Sequence, residues 1–232
     1  MALYIDSAYL DDIAHVVQTI PVAGVTTNPS ILLAARERGQ AIAYDTLVGE
    51  ILERLNTNIG SVFMQPGATD DDEMYQQVLA SWQAVLSAGY GASRLVHKLP
   101  MTPAGMRVAQ RIKKNQMNHR VAFTAVTTVA QAYTAAMVGA DFVIPYYSRL
   151  ERAGVDASER IAQIALLLHK QHLATRILAA SIKSPLEAAS ALGAGAHDIT
   201  AVPQVLLAMV SDPQTDEAIA KFTLDWQKIT KE

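Results

Sequence analysis

The sequence contains no cysteine. Disulfides, a thiol nucleophile and thiolate metal sites are therefore excluded, and any reactive chemistry must come from nitrogen and oxygen groups. The sequence also has no long block of like charges, and its 19 basic and 22 acidic residues give a formal net charge of only −3. This balance argues against nucleic acid or a membrane surface as the main partner.

Targeting segments and nucleotide motifs are missing as well. No apolar stretch reaches the length of a transmembrane helix, and residues 1–6, MALYID, carry no basic leader, so we expect a cytoplasmic protein. Neither G-x-G-x-x-G nor G-x-x-x-x-G-K-[ST] occurs. The histidines are scattered, and the one close pair, His169 and His172, is expected at a solvated helix end. We predict no metal site.

Short β-like runs alternate with helical patterns along the whole chain, which is typical of βαβ units and a parallel sheet. With half of its 232 residues apolar, the chain can form one compact domain. The strand candidates are Leu3 to Asp6, Gly24 to Asn28, Ser61 to Gln65, Arg94 to Leu99, Val121 to Val126, Asp141 to Tyr146, Arg176 to Ser181 and Asp198 to Val202.

These eight units predict an α/β fold, a single-domain TIM (β/α)8 barrel over residues 1–211, with a doubly wound open sheet as the alternative. The absent nucleotide motifs favour the barrel. Two helices broken at Gly39 are predicted between Pro29 and Asn56, and an extra C-terminal helix is predicted from Asp212 to Lys231 within residues 212–232.

Helix boundaries carry recognisable signals. Thr102-Pro103 and Ser184-Pro185 each place a capping residue before a proline at the first helical position, and Ser184 with Glu187 has the spacing of a capping box. Helices are predicted to stop near four glycines: Gly39, Gly89, Gly139 and Gly193.

Lys98 lies in the apolar run LVHKLP, residues 95–100, which has the length of a strand. Burial there would lower its pKa and leave a nucleophilic amine that forms a Schiff base with a carbonyl compound. On local grounds alone, an edge-strand lysine whose head reaches water is the favoured alternative. His97 should point to the opposite face of the strand and pack against a helix.

Polar residues follow the apolar part of seven consecutive strands, where a TIM barrel carries its active site. Each one alone could cap a helix or hold a loop. Together they suit carbonyl chemistry through an imine. They are Asp6, Thr27, Asn28, Gln65, Lys98, Thr124, Tyr146 and Ser181.

A second cluster suggests an anion site. Arg149 and Ser181 both fall in predicted strand-to-helix loops, where a guanidinium, a hydroxyl and backbone N–H groups can hold a phosphate. The alternatives are a surface ion pair of Arg149 with Glu151 and, for Lys183, simple exposure to solvent.

Four segments together resemble the transaldolase family, in particular its small fructose-6-phosphate aldolase-like subgroup. They are GVTTNPSI at 24–31, VHKLPMT at 96–102, PYYSR at 145–149 and LAASIK at 178–183. The resemblance extends over essentially the whole chain. It implies a class I, Schiff-base mechanism that needs neither a metal nor another cofactor, with a ketose or aldose phosphate as substrate.

The resemblance also implies roles for single residues. Lys98 matches the Schiff-base lysine, Asp6 the carboxylate that handles the proton of the substrate C4 hydroxyl, and Asn28 a residue that binds substrate hydroxyls next to Thr27. The remaining matches are a trio that holds a catalytic water, Gln65, Thr124 and Tyr146, and two phosphate contacts, Arg149 and Ser181.

Tyr146 and Gln65 favour aldol cleavage of fructose 6-phosphate over transfer, since many transaldolases carry phenylalanine at the position of Tyr146. Transaldolase activity is the second hypothesis and a non-catalytic sugar-phosphate binder the third. Segments near the anion end, including Ser148, depart from the family pattern, which keeps a sulfonated ketose open as substrate. The last helix resembles a segment that packs on a neighbouring subunit, so we expect a homo-oligomer, a decamer of two pentameric rings.

Overall fold

The structure, a computed structural model, describes residues 1–43, 46–55, 60–115 and 119–230. Within these residues, eight parallel strands close into a barrel in sequential order, with the last strand paired to the first. The strands are β1 Ala2–Asp6, β2 Gly24–Thr26, β3 Ser61–Met64, β4 Leu95–Pro100, β5 Arg120–Val126, β6 Phe142–Pro145, β7 Arg176–Ile182 and β8 Asp198–Ala201. The predicted TIM barrel is confirmed.

Helices surround the barrel. Most cross from the carboxyl end of one strand to the start of the next, as right-handed parallel connections require. They are α1 Leu10–Val17, α2 Pro29–Glu37, α3 Leu47–Leu55, α4 Asp71–Ser87, α5 Pro103–Lys114, α6 Val129–Met137, α7 Tyr147–Arg152, α8 Ala157–Lys170, α9 Pro185–Gly193, α10 Pro203–Ala208 and α11 Pro213–Ile229, with a short 3₁₀ helix at Ala92–Arg94. Two termini predicted from sequence, Asn56 and Lys231, lie outside the described residues.

The predicted helix starts form largely as expected. The side chains of Thr102 and Ser184 accept hydrogen bonds from backbone N–H groups of the first turns of α5 and α9, each ahead of a proline. The predicted capping box at Ser184 is only half made, because the Glu187 carboxylate accepts from the backbone N–H of Lys183 instead. Helix α9 extends through Gly193, and the left-handed residue beyond it is Gly195, with φ of 103°.

Several predicted strands end too late. Strand β2 stops at Thr26 because Asn28 already caps α2, and its side chain accepts from the N–H of Ile31 at 3.0 Å. Likewise, Gln65 and Tyr146 lie one residue beyond β3 and β6. Asn28, Gln65 and Tyr146 therefore lie just beyond the strands, where they border the opening at the mouth of the barrel.

Close strand packing explains the glycine that begins the G-V-T-T-N segment. A Cβ atom added to Gly24 would lie 1.9 Å from the carbonyl oxygen of Ser61 on β3. Only glycine lets β2 and β3 approach so closely. The following residues, Thr26 to Asn28, are thereby held at the mouth of the barrel.

Two apolar layers stabilise the fold. The larger lies between the strands and the helices, and the smaller fills the barrel interior. Inside, Phe63 makes edge-to-face contacts with Tyr4 and Phe142 at ring-centroid distances of 5.3 and 5.0 Å. Below them, Arg176 binds the fully buried Asp198 carboxylate through two hydrogen bonds of 2.8 and 2.7 Å. This aromatic and ionic filling occupies the amino-terminal half of the barrel interior.

The C-terminal helix α11 differs from the others because it has no buried residue. Four large apolar side chains follow one another at spacings of three and four, which places them on one face: Ile219, Phe222, Trp226 and Ile229. All four are more than half exposed. Among the described residues, no helix is long and apolar enough to cross a membrane.

His97 packs behind the barrel wall, as predicted, rather than inside the barrel. It is buried, its Nε2 lies 2.9 Å from Nδ1 of His119, and the His119 ring also packs on Trp82 of α4. Burial, with the neighbouring His119 and Lys113 adding to it, lowers the pKa of His97 to about 3. The folded state therefore holds this imidazole neutral.

Replacing His97 by glutamine should weaken the acid sensitivity of the fold. In the unfolded chain a histidine has a pKa of about 6.5, so below that pH the unfolded state binds a proton that the folded state does not. The contribution of a neutral His97 is complete above pH 6.5 and is lost as the pH falls toward 3. Between pH 6.5 and 5 we expect the free energy of unfolding in urea to fall by roughly 1.5 to 2 kcal/mol more in the wild type than in His97→Gln.

The control is His169→Gln, which removes an exposed histidine near the end of α8. It should keep the wild-type slope of stability against pH. Identical slopes for the wild type and His97→Gln would contradict the prediction.

Candidate active site

A cavity of about 580 Å³ opens at the carboxyl ends of the strands. A deeper recess of about 90 Å³ shares four lining residues with it and reaches Lys98. Of the nine site residues predicted from sequence, eight line one of these two spaces: Asp6, Asn28, Gln65, Lys98, Thr124, Tyr146, Arg149 and Ser181. Residues far apart in the sequence therefore meet in one pocket, because parallel strands bring all their carboxyl ends to one face.

Lys98 occupies the bottom of this pocket and is only 2% exposed. Its Nζ donates a hydrogen bond to the carbonyl oxygen of Thr27 at 3.1 Å. Burial lowers the pKa of Lys98, and Arg149 adds to that effect while the Asp6 carboxylate opposes it. A lowered pKa increases the fraction of free amine near neutral pH, which is the form that attacks a carbonyl carbon.

Asp6 lies at the end of β1 and lines both the cavity and the recess. The Thr26 hydroxyl donates to its Oδ1 at 2.7 Å, and the hydroxyl oxygens of Thr26 and Thr200 are 2.6 Å apart. Both threonines are buried in the barrel. The carboxylate is thus held by the Thr26 hydroxyl, which in turn contacts Thr200, while it borders the open cavity.

Thr124 and Tyr146 form a second polar pair on the opposite wall. Their hydroxyl oxygens are 2.7 Å apart, and both residues line the cavity together with Gln65. Burial raises the pKa of Tyr146, although the hydrogen bond to Thr124 and the charge of Arg149 counteract it. The phenol therefore stays protonated at neutral pH and can donate a hydrogen bond.

Two bulged strands shape the mouth of the barrel. The register of β5 shifts between Thr124 and Val126, and that of β7 shifts between Ala179 and Ile182. Each bulge contains one residue with a backbone φ of 59°, a value that residues other than glycine rarely adopt: Ala125 in β5 and Ser181 in β7. Bulges of this kind redirect neighbouring side chains and occur next to active sites. Here they lie beside the hydroxyl of Thr124 and at Ser181 itself.

The end of the pocket predicted to bind an anion contains Arg149, Ser181 and Lys183, which line the recess. The Arg149 guanidinium carbon lies 4.5 Å from the ring centroid of Tyr146, so a cation–π contact holds it over the cavity. Glu151, the ion-pair partner considered from sequence, accepts a hydrogen bond from the backbone N–H of Ala157. Lys183 is exposed, although it borders the recess.

A carboxylate connects the two segments that form this end. One oxygen of Glu187 accepts from the Ser148 hydroxyl and from the backbone N–H of Lys183, each at 2.8 Å. Ser148 precedes Arg149 on α7, and Lys183 follows Ser181 after β7. Glu187 therefore links the segment of Arg149 to the segment of Ser181, and it places a negative charge close to the cations of that region.

One predicted residue does not present its side chain to the pocket. The Thr27 hydroxyl donates to the carbonyl oxygen of Phe63 at 2.9 Å and lies 3.3 Å from the sulfur of Met64. Thr27 contributes only its backbone carbonyl, which holds Lys98. The alternating geometry of β2 explains this, because adjacent residues face opposite sides of a strand and Thr26 takes the inward position.

Three residues were not identified from the sequence as part of the site. Thr26 belongs to the G-V-T-T-N segment, and its position close to the end of a predicted strand could have indicated that it is part of the site. Thr200 is the inward residue of β8, a strand whose predicted end, Val202, is apolar. Glu187 was considered only as a capping residue. Their contacts depend on neighbouring strands and loops, which local patterns do not specify.

Potential metal ligands are dispersed in the structure. Within the described ranges, no group of three or more histidine, cysteine, aspartate or glutamate side chains could hold an ion. His169 and His172 are both exposed near the end of α8, as expected from the sequence.

Comparison with known proteins finds relatives over the whole chain. The family model described as "Transaldolase/Fructose-6-phosphate aldolase" matches residues 3–232. A protein named "Probable fructose-6-phosphate aldolase" from Streptococcus pneumoniae (strain ATCC 700669 / Spain 23F-1) is 31% identical over 232 residues, which cover 97% of this chain and 96% of that protein.

Two further relatives are both named "Probable transaldolase 2". The protein from Bacillus anthracis is 33% identical and the one from Bacillus cereus (strain ATCC 14579) is 32% identical, each over 231 residues that cover 100% of both chains. These matches extend over the barrel and the C-terminal helix alike. The chain belongs to the transaldolase/fructose-6-phosphate aldolase family.

Proposed function

We propose that this protein is a Schiff-base aldolase that reversibly cleaves fructose 6-phosphate into dihydroxyacetone and glyceraldehyde 3-phosphate. The observation that carries the proposal is Lys98, a lysine buried at the bottom of the barrel mouth with a lowered pKa and a carboxylate nearby. A buried amine at this position has no evident structural benefit, whereas it suits attack on a ketone.

In the proposed mechanism, the Lys98 amine adds to the C2 carbonyl of the ketose, and loss of water gives an iminium. Asp6 then accepts the proton of the C4 hydroxyl, the C3–C4 bond breaks, and its electron pair moves into the iminium to give an enamine. Glyceraldehyde 3-phosphate leaves. Protonation of the enamine at C3 and hydrolysis of the resulting iminium release dihydroxyacetone and restore the amine.

The other pocket residues fit this sequence. Since Oδ1 of Asn28 caps α2, its amide NH₂ is the group suited to bind the hydroxyls of the ketose. Arg149 and Ser181 face the space where the phosphate would lie. Thr124, Tyr146 and Gln65 border the cavity where a water could be held for protonation of the enamine.

Transaldolase activity is the second candidate, since two relatives carry that name. In that reaction the enamine waits for another aldose phosphate rather than for a proton. The Thr124–Tyr146 pair favours cleavage, because a neutral phenol with a fixed hydroxyl partner can orient water toward C3. A sulfonated ketose is a further candidate donor, since the Glu187 carboxylate at the anion end favours a less charged group.

Incubation with fructose 6-phosphate alone tests the proposal. We expect release of glyceraldehyde 3-phosphate without an added acceptor, and borohydride should trap the donor as a stable mass increase on Lys98. Lys98→Ala should keep the fold by circular dichroism and lose at least about 10⁴-fold in turnover, because the covalent path is removed. The exposed Lys183 should carry no adduct.

Any other result of these experiments would support one of the alternative functions. Strict dependence on an aldose phosphate acceptor would indicate a transaldolase. Substrate binding without an adduct on Lys98 would indicate a non-catalytic binder. Turnover only of 6-deoxy-6-sulfofructose would assign the sulfonated donor.

Tyr146→Phe should depress cleavage more than transfer. Loss of the phenol hydroxyl removes the group proposed to orient the protonating water, so we expect acceptor-free cleavage to fall about 10²-fold while transfer to erythrose 4-phosphate falls less than tenfold. Both rates are measured from the same donor.

Tyr147→Phe is the matched control, because the Tyr147 hydroxyl bonds Ser158 and does not line the cavity. It should leave both rates near wild type. Equal losses of cleavage and transfer in Tyr146→Phe would contradict the water-orienting role.

We also propose that α11 packs on a neighbouring subunit of a homo-oligomer, with a decamer of two pentameric rings as the expected assembly. Its apolar face, Ile219, Phe222, Trp226 and Ile229, is exposed in the single chain and has the spacing of a buried helix face. Covering such a face with a second copy removes apolar surface from water.

Phe222→Asp with Trp226→Asp should therefore yield smaller species in sedimentation velocity while the far-ultraviolet circular dichroism is retained. Lys221→Asp, which changes charge on the same helix without touching the apolar face, should sediment like the wild type. An unchanged profile for the double variant would refute the packing role.

A further inference from the structure

We propose that Thr200 is a positioning residue that orients the Asp6 carboxylate through the hydroxyl of Thr26. The proposal rests on the proposed function, because it concerns the carboxylate that would accept the C4 proton. Thr200 borders neither the cavity nor the recess, so it would act only through Thr26.

The three residues lie on three adjacent strands. Within the barrel, β1 is paired to β2 on one side and to β8 on the other, with Asp6 opposite Thr26 and Tyr4 opposite Thr200. Side chains from alternate strands share an interior layer in a TIM barrel, so residues of β2 and β8 can meet across β1. Thr26 and Thr200 do so at 2.6 Å, directly below the carboxylate.

The number of hydrogens sets the direction of this chain of bonds. A threonine hydroxyl has one hydrogen, and an ionised carboxylate accepts only. The Thr26 hydrogen is therefore committed to Oδ1 of Asp6, and the Thr26 oxygen must accept from Thr200. The order Thr200 to Thr26 to Asp6 is the one that satisfies both contacts while Asp6 is ionised.

This arrangement leaves Oδ2 of Asp6 as the oxygen suited to the substrate. When the C4 hydroxyl transfers its proton to Asp6, the C3–C4 electron pair moves to the iminium, and the carboxylate must stand at a defined distance and angle. Without Thr200, the Thr26 hydroxyl could rotate among other orientations, and its hold on Oδ1 would weaken.

Packing alone does not explain the two hydroxyls. The interior around them is lined mainly by apolar and aromatic side chains, which include Val96, Ile144 and Leu178. Thr26 is fully buried and Thr200 is 1% exposed, and buried hydroxyls are costly unless they are bonded. Valine has nearly the same shape as threonine, so a valine at position 200 would fill the same space.

The test begins with Thr200→Val, compared with Thr200→Ser, which keeps the hydroxyl. We expect kcat for cleavage of fructose 6-phosphate to fall about 10- to 100-fold in the valine variant with less than a twofold change in KM, and the serine variant to recover most of the loss. Borohydride trapping of dihydroxyacetone on Lys98 should stay within twofold of wild type, because that ligand has no C4 hydroxyl.

A double-variant cycle separates this role from a general structural one. If Thr200 acts through Thr26, then Thr26→Val combined with Thr200→Val should be no slower than Thr26→Val alone. Thr175→Val is the matched control, since Thr175 is a buried threonine whose hydroxyl bonds the Ala140 carbonyl near the opposite end of the barrel. Its cleavage rate should stay within twofold of wild type.

Three results would each overturn the proposal. The double variant could lose cleavage by the product of the two single losses, trapping on Lys98 could fall as much as cleavage does, or Thr200→Val could turn over fructose 6-phosphate at the wild-type rate. If Thr200→Val does not fold, Thr200→Ala takes its place in the cycle. Should both be unfolded while Thr175→Val folds, the hydroxyl serves the stability of the barrel and the proposal fails. The proposed function fails separately, when the wild type itself neither cleaves the donor nor forms the adduct.

Discussion

Burial of the Lys98 amine inside the barrel governs how the pocket around it is built. An amine in that environment is disfavoured as a cation, because burial removes the hydration of its charge. The closed barrel supplies the burial, and the Thr27 carbonyl supplies a hydrogen-bond acceptor that does not require the charge. The nearby Asp6 carboxylate acts in the opposite direction and raises the pKa of Lys98, because it favours the charged form of the amine.

A polar site in the centre of a barrel requires polar groups to satisfy one another. The aromatic filling below and the apolar strands around it leave few partners, and the structure provides them as pairs: Thr26 with Asp6, Thr124 with Tyr146, and Lys98 with the Thr27 carbonyl. Each pair crosses between strands. A change in strand register would therefore separate these pairs, since a shift of one residue turns every side chain of a strand to its other face.

The buried ion pair and the candidate active site lie at opposite ends of the barrel. At the amino-terminal end, Arg176 and Asp198 form a buried ion pair that does not border the active-site cavity. At the carboxyl end, Arg149 rests on the Tyr146 ring and remains exposed to a ligand. This segregation, typical of TIM barrels, lets loops such as the one held by Glu187 vary without loss of the fold.

The barrel, its helices and most of the pocket residues can be predicted from the sequence, because periodicity, capping and strand-end polarity are local properties. Alternation along a strand is enough to place His97 and Lys98 on opposite faces. Three contacts appear only in the folded molecule: the Thr27 hydroxyl turns away from the pocket, Thr200 reaches Thr26 across β1, and Glu187 joins two loops. Those contacts depend on register between strands and on bulges in β5 and β7, and register is a relation between distant segments.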